Sequence, residues 1–471
     1  MIFDELVERF ERQDRGITHL LAARNGRVIG EWYRPHRSRT TAHMLHSATK
    51  SFVSTGIGMA VDEGRLNLDD RLADFLTLEQ VRSAQPGVEL LTIADLLTMR
   101  TGHAEGTSGV VWRTLSTSWI DAYLQVPIAG TPGESFIYSS GTSHMLSMCL
   151  QKATGLPADE YLRPRLFDPL DFGTISWDRD PDGYCSGGNG LTMNVLDFLK
   201  WGQLYLNGGV WDGRQLVSRE WVDASLARQV DVGSLGWTGD GYVAGASADP
   251  GAGEGYGYQI WNRPHGAYAA GVFGQYCVLV PEADAVVAVF SSMTSRESDP
   301  LSADLIEALR SEQFASFVAP FTGALTTDGV PDSARYVSGM LDGEFASPDE
   351  TTKLMFSVEH RHSGALLHVQ GHDRSGPVEF TAGIDADHEG RSAMGAPSLH
   401  HSYIEPTTSV ARLTRRGPWW VEVLVDYPIT PFVDRFSFRL STDGLIRYSR
   451  SVNVNSQSTE LAEVALHRRN A

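Results

Sequence analysis

Cysteine is scarce in this chain, and lysine nearly as scarce. The three cysteines, Cys149, Cys185 and Cys277, are odd in number and far apart, and no C-x-x-C pair exists among the 471 residues. Neither a disulfide framework nor a cysteine-bound zinc is thereby suggested. Isolated thiols of this kind suit a reducing compartment. No stretch approaches the ~18 uninterrupted apolar residues that span a bilayer. Residues 1–15 are acidic where a secretion signal would be basic, and no apolar core follows, so a cytoplasmic location is expected. Positive charge is short as well: 39 Lys and Arg against 58 Asp and Glu leave a net charge of −19. That balance argues against nucleic acid and anionic membrane surfaces as partners. Two catalytic signatures are missing. There is no G-x-S-x-G, which removes the α/β-hydrolase nucleophile elbow. There is no H-E-x-x-H, which removes the helix-borne zinc hydrolases. The histidines at 360, 362, 368 and 372 have no carboxylate or cysteine pattern beside them and read as a solvated face. The glycines at 251, 253, 255 and 257 follow no strand, so a phosphate loop is not expected. Neither metal nor organic cofactor is implied.

What is present is ordinary globular material, 42% apolar and 21% charged, enough for a sizeable core. The apolar spacing over 3–10 predicts an opening amphipathic helix. Segments 19–23 and 28–33 read as strands around the turn Asn25-Gly26. A helical pattern runs from Ser47 to a stop at Gly64. Residues 90–225 read mostly as helices and loops, and 228–257 as a long Gly-rich loop without periodicity. A second hairpin spans 272–292 and turns at 281–284, and 301–317 suit a closing helix. After about 320 the pattern changes to alternating segments at 353–358, 365–370, 419–425 and 436–440. These predict an antiparallel β domain, a sandwich or small barrel. The chain is therefore read as a catalytic α/β domain over 1–320 and a β-rich domain over 321–471. The β-rich tail is expected to cover or shape one side of the cleft, since the 228–257 loop would otherwise be exposed.

The chemistry-bearing motif is Ser47-Ala48-Thr49-Lys50. An S-x-x-K at a helix start puts both side chains on one face, a turn apart. Serine becomes a useful nucleophile when a neighbour takes its proton. Lysine can do so only when neutral, and burial favours that form; the positive end of the helix dipole does too. The same terminus aims backbone N–H groups where an oxyanion would form. Lys50, Lys152, Lys200 and Lys353 are the chain's only lysines, and Lys50 alone completes the motif; arginine could not, because it does not deprotonate. The motif is short enough to arise by chance. On these residues alone, a nucleophile with its base and a helix-capping serine both stand.

Further segments bear on the choice. Leu96-Leu97-Thr98-Met99-Arg100-Thr101-Gly102-His103, Pro132-Gly133-Glu134 leading to Tyr138-Ser139-Ser140, and Gly187-Gly188-Asn189-Gly190-Leu191 follow Ser47–Lys50 in consistent order. Over roughly 15–300 the sequence resembles the serine β-lactamase and penicillin-binding-protein superfamily, in particular its class C-like esterases and amidases. The resemblance implies an antiparallel sheet flanked by helices, with an all-helical subdomain. It departs in two places. The second motif, usually Y-x-N, ends in Ser140. The third, usually K-T-G, is replaced by Gly271-Val272-Phe273-Gly274-Gln275. That G-x-x-G-Q form, together with Y-x-S, is similar to 6-aminohexanoate-dimer hydrolases and related esterases. The K-T-G residues help β-lactam-binding members recognise a carboxylate, so their absence argues against β-lactamase or cell-wall peptidase activity, and a β-lactamase stands as a further rival.

From the resemblance, Ser47 is the expected nucleophile and Lys50 its base. Tyr138 shares the proton shuttle, and the Ser47 and Val272 backbone N–H groups form the oxyanion hole. Ser140, Asn189, Trp112, Gly271 and Gln275 are the substrate-binding candidates. Trp119 and Trp237 are placed in segments bordering the cleft. His265-Gly266 is a second-ranked stand-in for the third motif. His43 and His46 flank the nucleophile, but no histidine base is required. The implied substrate is a small-molecule or peptide ester or amide. An acyltransferase passing the acyl group to an amine or alcohol, and a non-catalytic binding protein, are the alternatives. Oligomeric state is not legible.

Overall fold

The computed structural model describes residues 16–107, 112–232, 235–237, 241–244, 254–294, 300–310, 337–338, 340–361, 364–403, 405–455 and 458–469. The helix expected over 3–10 lies outside them, as does the 311–317 part of the closing helix. The chain divides into two compact units, Met1–Phe321 and Thr322–Ala471.

The first unit is built on one antiparallel sheet. Its strands are β1 (Ile17–Arg24), β2 (Arg27–Tyr33), β3 (Val230–Asp231), β4 (Gly255–Tyr256), β5 (Trp261–Arg263), β6 (Gly266–Gly271), β7 (Gln275–Val280) and β8 (Ala285–Ser291). They lie in the order β2-β1-β8-β7-β6-β5-β4-β3. The β1–β2 hairpin turns through Asn25 (φ 49°) and Gly26 (φ 69°), the left-handed pair that a tight two-residue turn needs. Because side chains alternate across a strand, the sheet has two apolar faces. Leu21, Ala23, Cys277, Leu279, Ala288 and Phe290 join a large core with the helices. Leu20, Ala22, Val278, Val280, Val287 and Val289 pack with Leu301, Leu305, Ile306 and Leu309 of the closing helix.

The helices that matter for the site are α1 (Thr49–Asp62), α2 (Ser140–Thr154) and α3 (Val195–Leu206). A short 3-10 turn, His46–Ala48, leads into α1. The chain stops this helix with Gly64 at φ 69°. The 228–257 segment is not the plain loop expected. It carries β3 and β4, and two further short strands, Leu235–Trp237 and Gly241–Ala244, which form a small sheet with Gly106–Thr107. Strands of two to four residues are too short to show a period in sequence.

The second unit contains β9 (Gly343–Ala346), β10 (Lys353–Arg361), β11 (Gly364–Asp373), β12 (Gly376–Ile384), β13 (His388–Ser392), β14 (Thr407–Gly417), β15 (Trp420–Asp426), β16 (Val433–Leu440), β17 (Ile446–Val452) and β18 (Val464–Arg468). Of the two forms expected, it is the barrel. Neighbours pair antiparallel in the order β12-β11-β10-β9-β18-β17-β16-β15-β14, and a parallel pairing of β12 with β14 closes the ring. Closure removes the open edges that invite unwanted strand pairing. Inside it, Arg450 is fully buried and bonds Asp434 at 2.6 Å and Asp373 at 3.3 Å. Tyr448 and Tyr427 donate to the same two carboxylates, and His400 bonds Asp434. The arginine beside it holds the Asp434 carboxyl well below the usual range, against the opposite push of burial.

Among the described residues no helix is long and apolar enough to cross a membrane, and no group of three or more His, Cys, Asp or Glu is placed to hold a metal ion.

Candidate active site

Ser47 sits in the 3-10 turn before α1, where first-turn N–H groups have no partner within the helix. From Leu45 to Ala60 it is the one residue that is not buried. One turn on, the Lys50 Nζ lies 2.9 Å from the Ser47 Oγ, 3.2 Å from the Ser140 Oγ and 2.7 Å from the Gly188 carbonyl oxygen. Burial pushes the Lys50 amine from 10.5 down to about 7. A neutral amine has two N–H bonds and one lone pair. The Gly188 carbonyl can only accept, and the Ser140 hydroxyl can accept. With both N–H bonds so used, the lone pair is left for the Ser47 O–H. The Tyr138 ring lies 4.9 Å below the Lys50 Nζ. It is held edge-on to Tyr256 and tilted against Trp261, in a small cluster with Met99 and Phe136.

The third-motif segment reaches this place through backbone contact. Gly271 ends β6 so close to the incoming chain that a Cβ there would stand 2.1 Å from the Leu45 carbonyl oxygen. Val272 follows, the one residue from Gly271 to Val280 that is not buried. His46 (φ 48°) and Phe273 (φ 69°) both adopt left-handed backbone without being glycine. Each is adjacent to one of the two candidate oxyanion residues, and their rings meet edge to face at 5.3 Å. Such conformations cost about 1–3 kcal/mol each and persist where surrounding structure enforces them, as at active sites.

The remaining candidates fall into two groups. Ser140 lies at the site, bonded to Lys50, whereas Trp112 is buried in the core against Trp119, Tyr123 and His144, its ring close to Gly141. Asn189 is buried next to the Lys50-binding Gly188 and accepts from Ser186 at 2.8 Å. Gln275, a pocket candidate by sequence, is completely buried. Its amide donates to the Val272 and Ser291 carbonyls and accepts from the Ser291 N–H, so it braces the β6–β7 turn instead of lining a pocket. His265 is in the exposed turn at the opposite end of β6 and bonds Glu282. Trp119 packs on Trp112 and His144 in the core; the Trp237 side chain lies outside the described residues. His43 stacks on Phe290. In the barrel, His360 is exposed and His368 bonds Glu359, while residue 362 lies outside the described set.

A buried polar stripe runs along α2, of which only Ser140 was legible in the sequence. Ser140, Ser143, His144 and Ser147 stand at i, i+3, i+4 and i+7, on one face. Every one has a partner: Ser140 meets Lys50, Ser143 donates to Gln259, His144 bonds Asp180, and Ser147 donates to the Cys185 carbonyl. Gln259 in turn donates to the Leu96 and Leu97 carbonyls, and its own carbonyl accepts from Ser51. It ties together the two helices that present Lys50 and Ser140. The signal was the run S-x-x-S-H-x-x-S in an otherwise apolar helix.

A serine beside a buried lysine that burial pushes toward its neutral form, at the start of a helix on an antiparallel sheet, defines the class: a β-lactamase-like serine hydrolase. Residues 3–310 match the family described as Beta-lactamase, and the chain belongs to that family. Among its curated relatives, the 6-aminohexanoate-dimer hydrolase of Paenarthrobacter ureafaciens is 28% identical over 293 residues, 58% of this chain and 71% of the relative. Two solved structures share the fold. The octameric penicillin-binding protein homologue from Pyrococcus abyssi is 16% identical with a TM-score of 0.51, and 99% of each chain is covered. EstCE1, a hydrolase with promiscuous acyltransferase activity, is 16% identical with a TM-score of 0.52, covering 66% of this chain and 99% of that one.

Proposed function

We propose that the protein cleaves an ester or amide bond of a small molecule or peptide through an acyl-enzyme on Ser47. The observation that carries this is the Lys50 amine, with acceptors for both N–H bonds and its lone pair left to Ser47. Ser47 attacks the carbonyl carbon while Lys50 takes its proton. The tetrahedral oxyanion is stabilised by the Ser47 and Val272 N–H groups, an arrangement whose donors are each worth about a hundredfold or more in rate. Lys50, with Tyr138 packed against it, returns a proton to the leaving alcohol or amine. Water then attacks the acyl carbon, Lys50 again taking the proton, and Ser47 is regenerated. Neither metal nor cofactor enters these steps. The segment from Gly271 to Gln275 has no cationic side chain, which supports substrates recognised without a carboxylate.

The test is turnover of activated esters and amides together with intact-protein mass spectrometry, in wild type and Ser47→Ala. Wild type gains the acyl mass and turns over. Ser47→Ala gains none and loses on the order of 10⁶ in rate. Equal activity in both would sink the assignment. Added amines or alcohols that appear in product would move the acceptor from water to those groups.

A further inference from the structure

Behind Lys50 stands a second pair of polar residues that the catalytic steps do not use. His144, on α2, reaches the 178–190 loop on both of its strands. Its Nε2 lies 3.0 Å from the Asp180 Oδ2, where the loop turns, and its Nδ1 is 3.4 Å from the Gly187 N, where the loop returns. Both side chains are buried. The backbone N–H of Gly187 can only donate, so the His144 Nδ1 must accept. The ring proton therefore sits on Nε2 and is donated to Asp180. Asp180 has no slack either, because its Oδ1 accepts the Tyr184 N–H at 2.7 Å. The Trp112 and Trp119 rings close off His144 from the side. The residue after Gly187 is Gly188, whose carbonyl accepts from Lys50. Gly187 is pressed onto α2 so tightly that a Cβ would stand 2.2 Å from the Ser143 carbonyl oxygen.

We infer that Asp180 and His144 form a positioning pair: Asp180 fixes the His144 tautomer, His144 fixes Gly187, and the Gly188 carbonyl thereby holds the Lys50 amine with its lone pair toward Ser47. The inference rests on the Ser47–Lys50 reading. It is separate from bulk stability because it predicts a change at Lys50. Losing the Gly188 acceptor disfavours the ammonium form, so the acid limb of kcat/KM moves to lower pH while the plateau falls.

The variants are Asp180→Asn, His144→Leu and His144→Asn. Asparagine at 180 has one acceptor oxygen for two N–H donors. If it keeps the Tyr184 bond, its amide N–H faces the His144 Nε2 and drives the proton to Nδ1, against Gly187. Asp180→Asn and His144→Leu are expected to lose about ten- to a hundredfold in kcat, the scale of a sub-ångström to ångström misplacement, with KM little changed and the acid limb lowered. His144→Asn, which keeps an acceptor toward Gly187, loses less than His144→Leu at a matched distance below its melting temperature. Unchanged kcat and limb in folded Asp180→Asn, or equal losses in the two His144 variants, would overturn the inference. If the variants do not fold, neutron diffraction from wild-type crystals decides. Deuterium on the His144 Nε2 supports the pair and deuterium on Nδ1 refutes it. Ser47→Ala run in the same assay separates the two failures. Full activity there removes the nucleophile reading itself, whereas an inactive Ser47→Ala beside unaffected dyad variants removes only the pair.

Discussion

Replacing Lys50 by methionine should make the protein more stable while destroying its activity, and the gain should depend on pH in a defined way. The Lys50 amine is completely enclosed, and burial alone takes it from 10.5 to about 7. That displacement corresponds to about 5 kcal/mol of preference for the neutral form. Between about pH 7 and 10.5 the unfolded chain holds a proton at Lys50 that the native chain has released, so native stability rises with pH across that window. Below it both states carry the ammonium and the native state bears the whole penalty; above it neither does. Lys50→Met, of similar length and apolar, is free of this penalty. It should exceed wild type by up to about 5 kcal/mol near pH 6, the gap closing by about 1.4 kcal/mol per pH unit above 7 and vanishing near 10.5. Denaturant unfolding of both proteins at several pH values, followed through the catalytic unit's transition, measures the gap directly. The same group sets the acid limb of wild-type kcat/KM near pH 7. A gap that does not vary with pH, or a limb above about 9, would show that Lys50 is not neutral by burial, and the base assignment would lose its physical ground.

Two other substitutions test the frame around the site. Gly271→Ala puts a methyl against the Leu45 carbonyl; overpacking of this kind costs about 1–3 kcal/mol. Because Val272 is next in the chain, kcat should fall about ten- to a hundredfold; a change confined to KM would contradict its role as oxyanion donor. In the barrel, Arg450→Met leaves Asp373 and Asp434 buried without their cation, and calorimetry should show a loss of about 3–5 kcal/mol in the C-terminal unit; an unchanged transition would mean that these carboxylates do not depend on the arginine.

The legible part of the site was the local part. Ser47 and Lys50 are three residues apart on one helix start, so spacing alone brings them together. The alternating segments of the tail became β10, β11, β15 and β16 with boundaries shifted by a few residues, because a half-buried strand writes its period into the sequence. β7 did not: it is buried on both faces, alternation disappears, and Gln275 could not be told from a pocket residue. His144 and Asp180 were missed for a different reason. Their partnership depends on a loop folding back onto α2, which no period encodes. Gly188 was visible only as part of a glycine cluster, since its contribution is a carbonyl and every residue has one.

The pairing of the first strand of the sheet with the last has a consequence for synthesis. β1 lies between β2 and β8, with Ile17 opposite Ser291. On the ribosome the N-terminal hairpin therefore emerges with one flank open, and it waits for nearly the whole catalytic unit before its neighbour arrives. The turn that follows Gly271, which lies against Leu45, belongs to that same late segment. A nascent chain cut short just before β8 thus has Ser47 and Lys50 but no strand to join β1 to β7, and activity should appear abruptly as chain length passes that strand. Until then the apolar face of β1 and β2 is exposed in a slow, non-local topology, a condition that favours aggregation of unfinished chains.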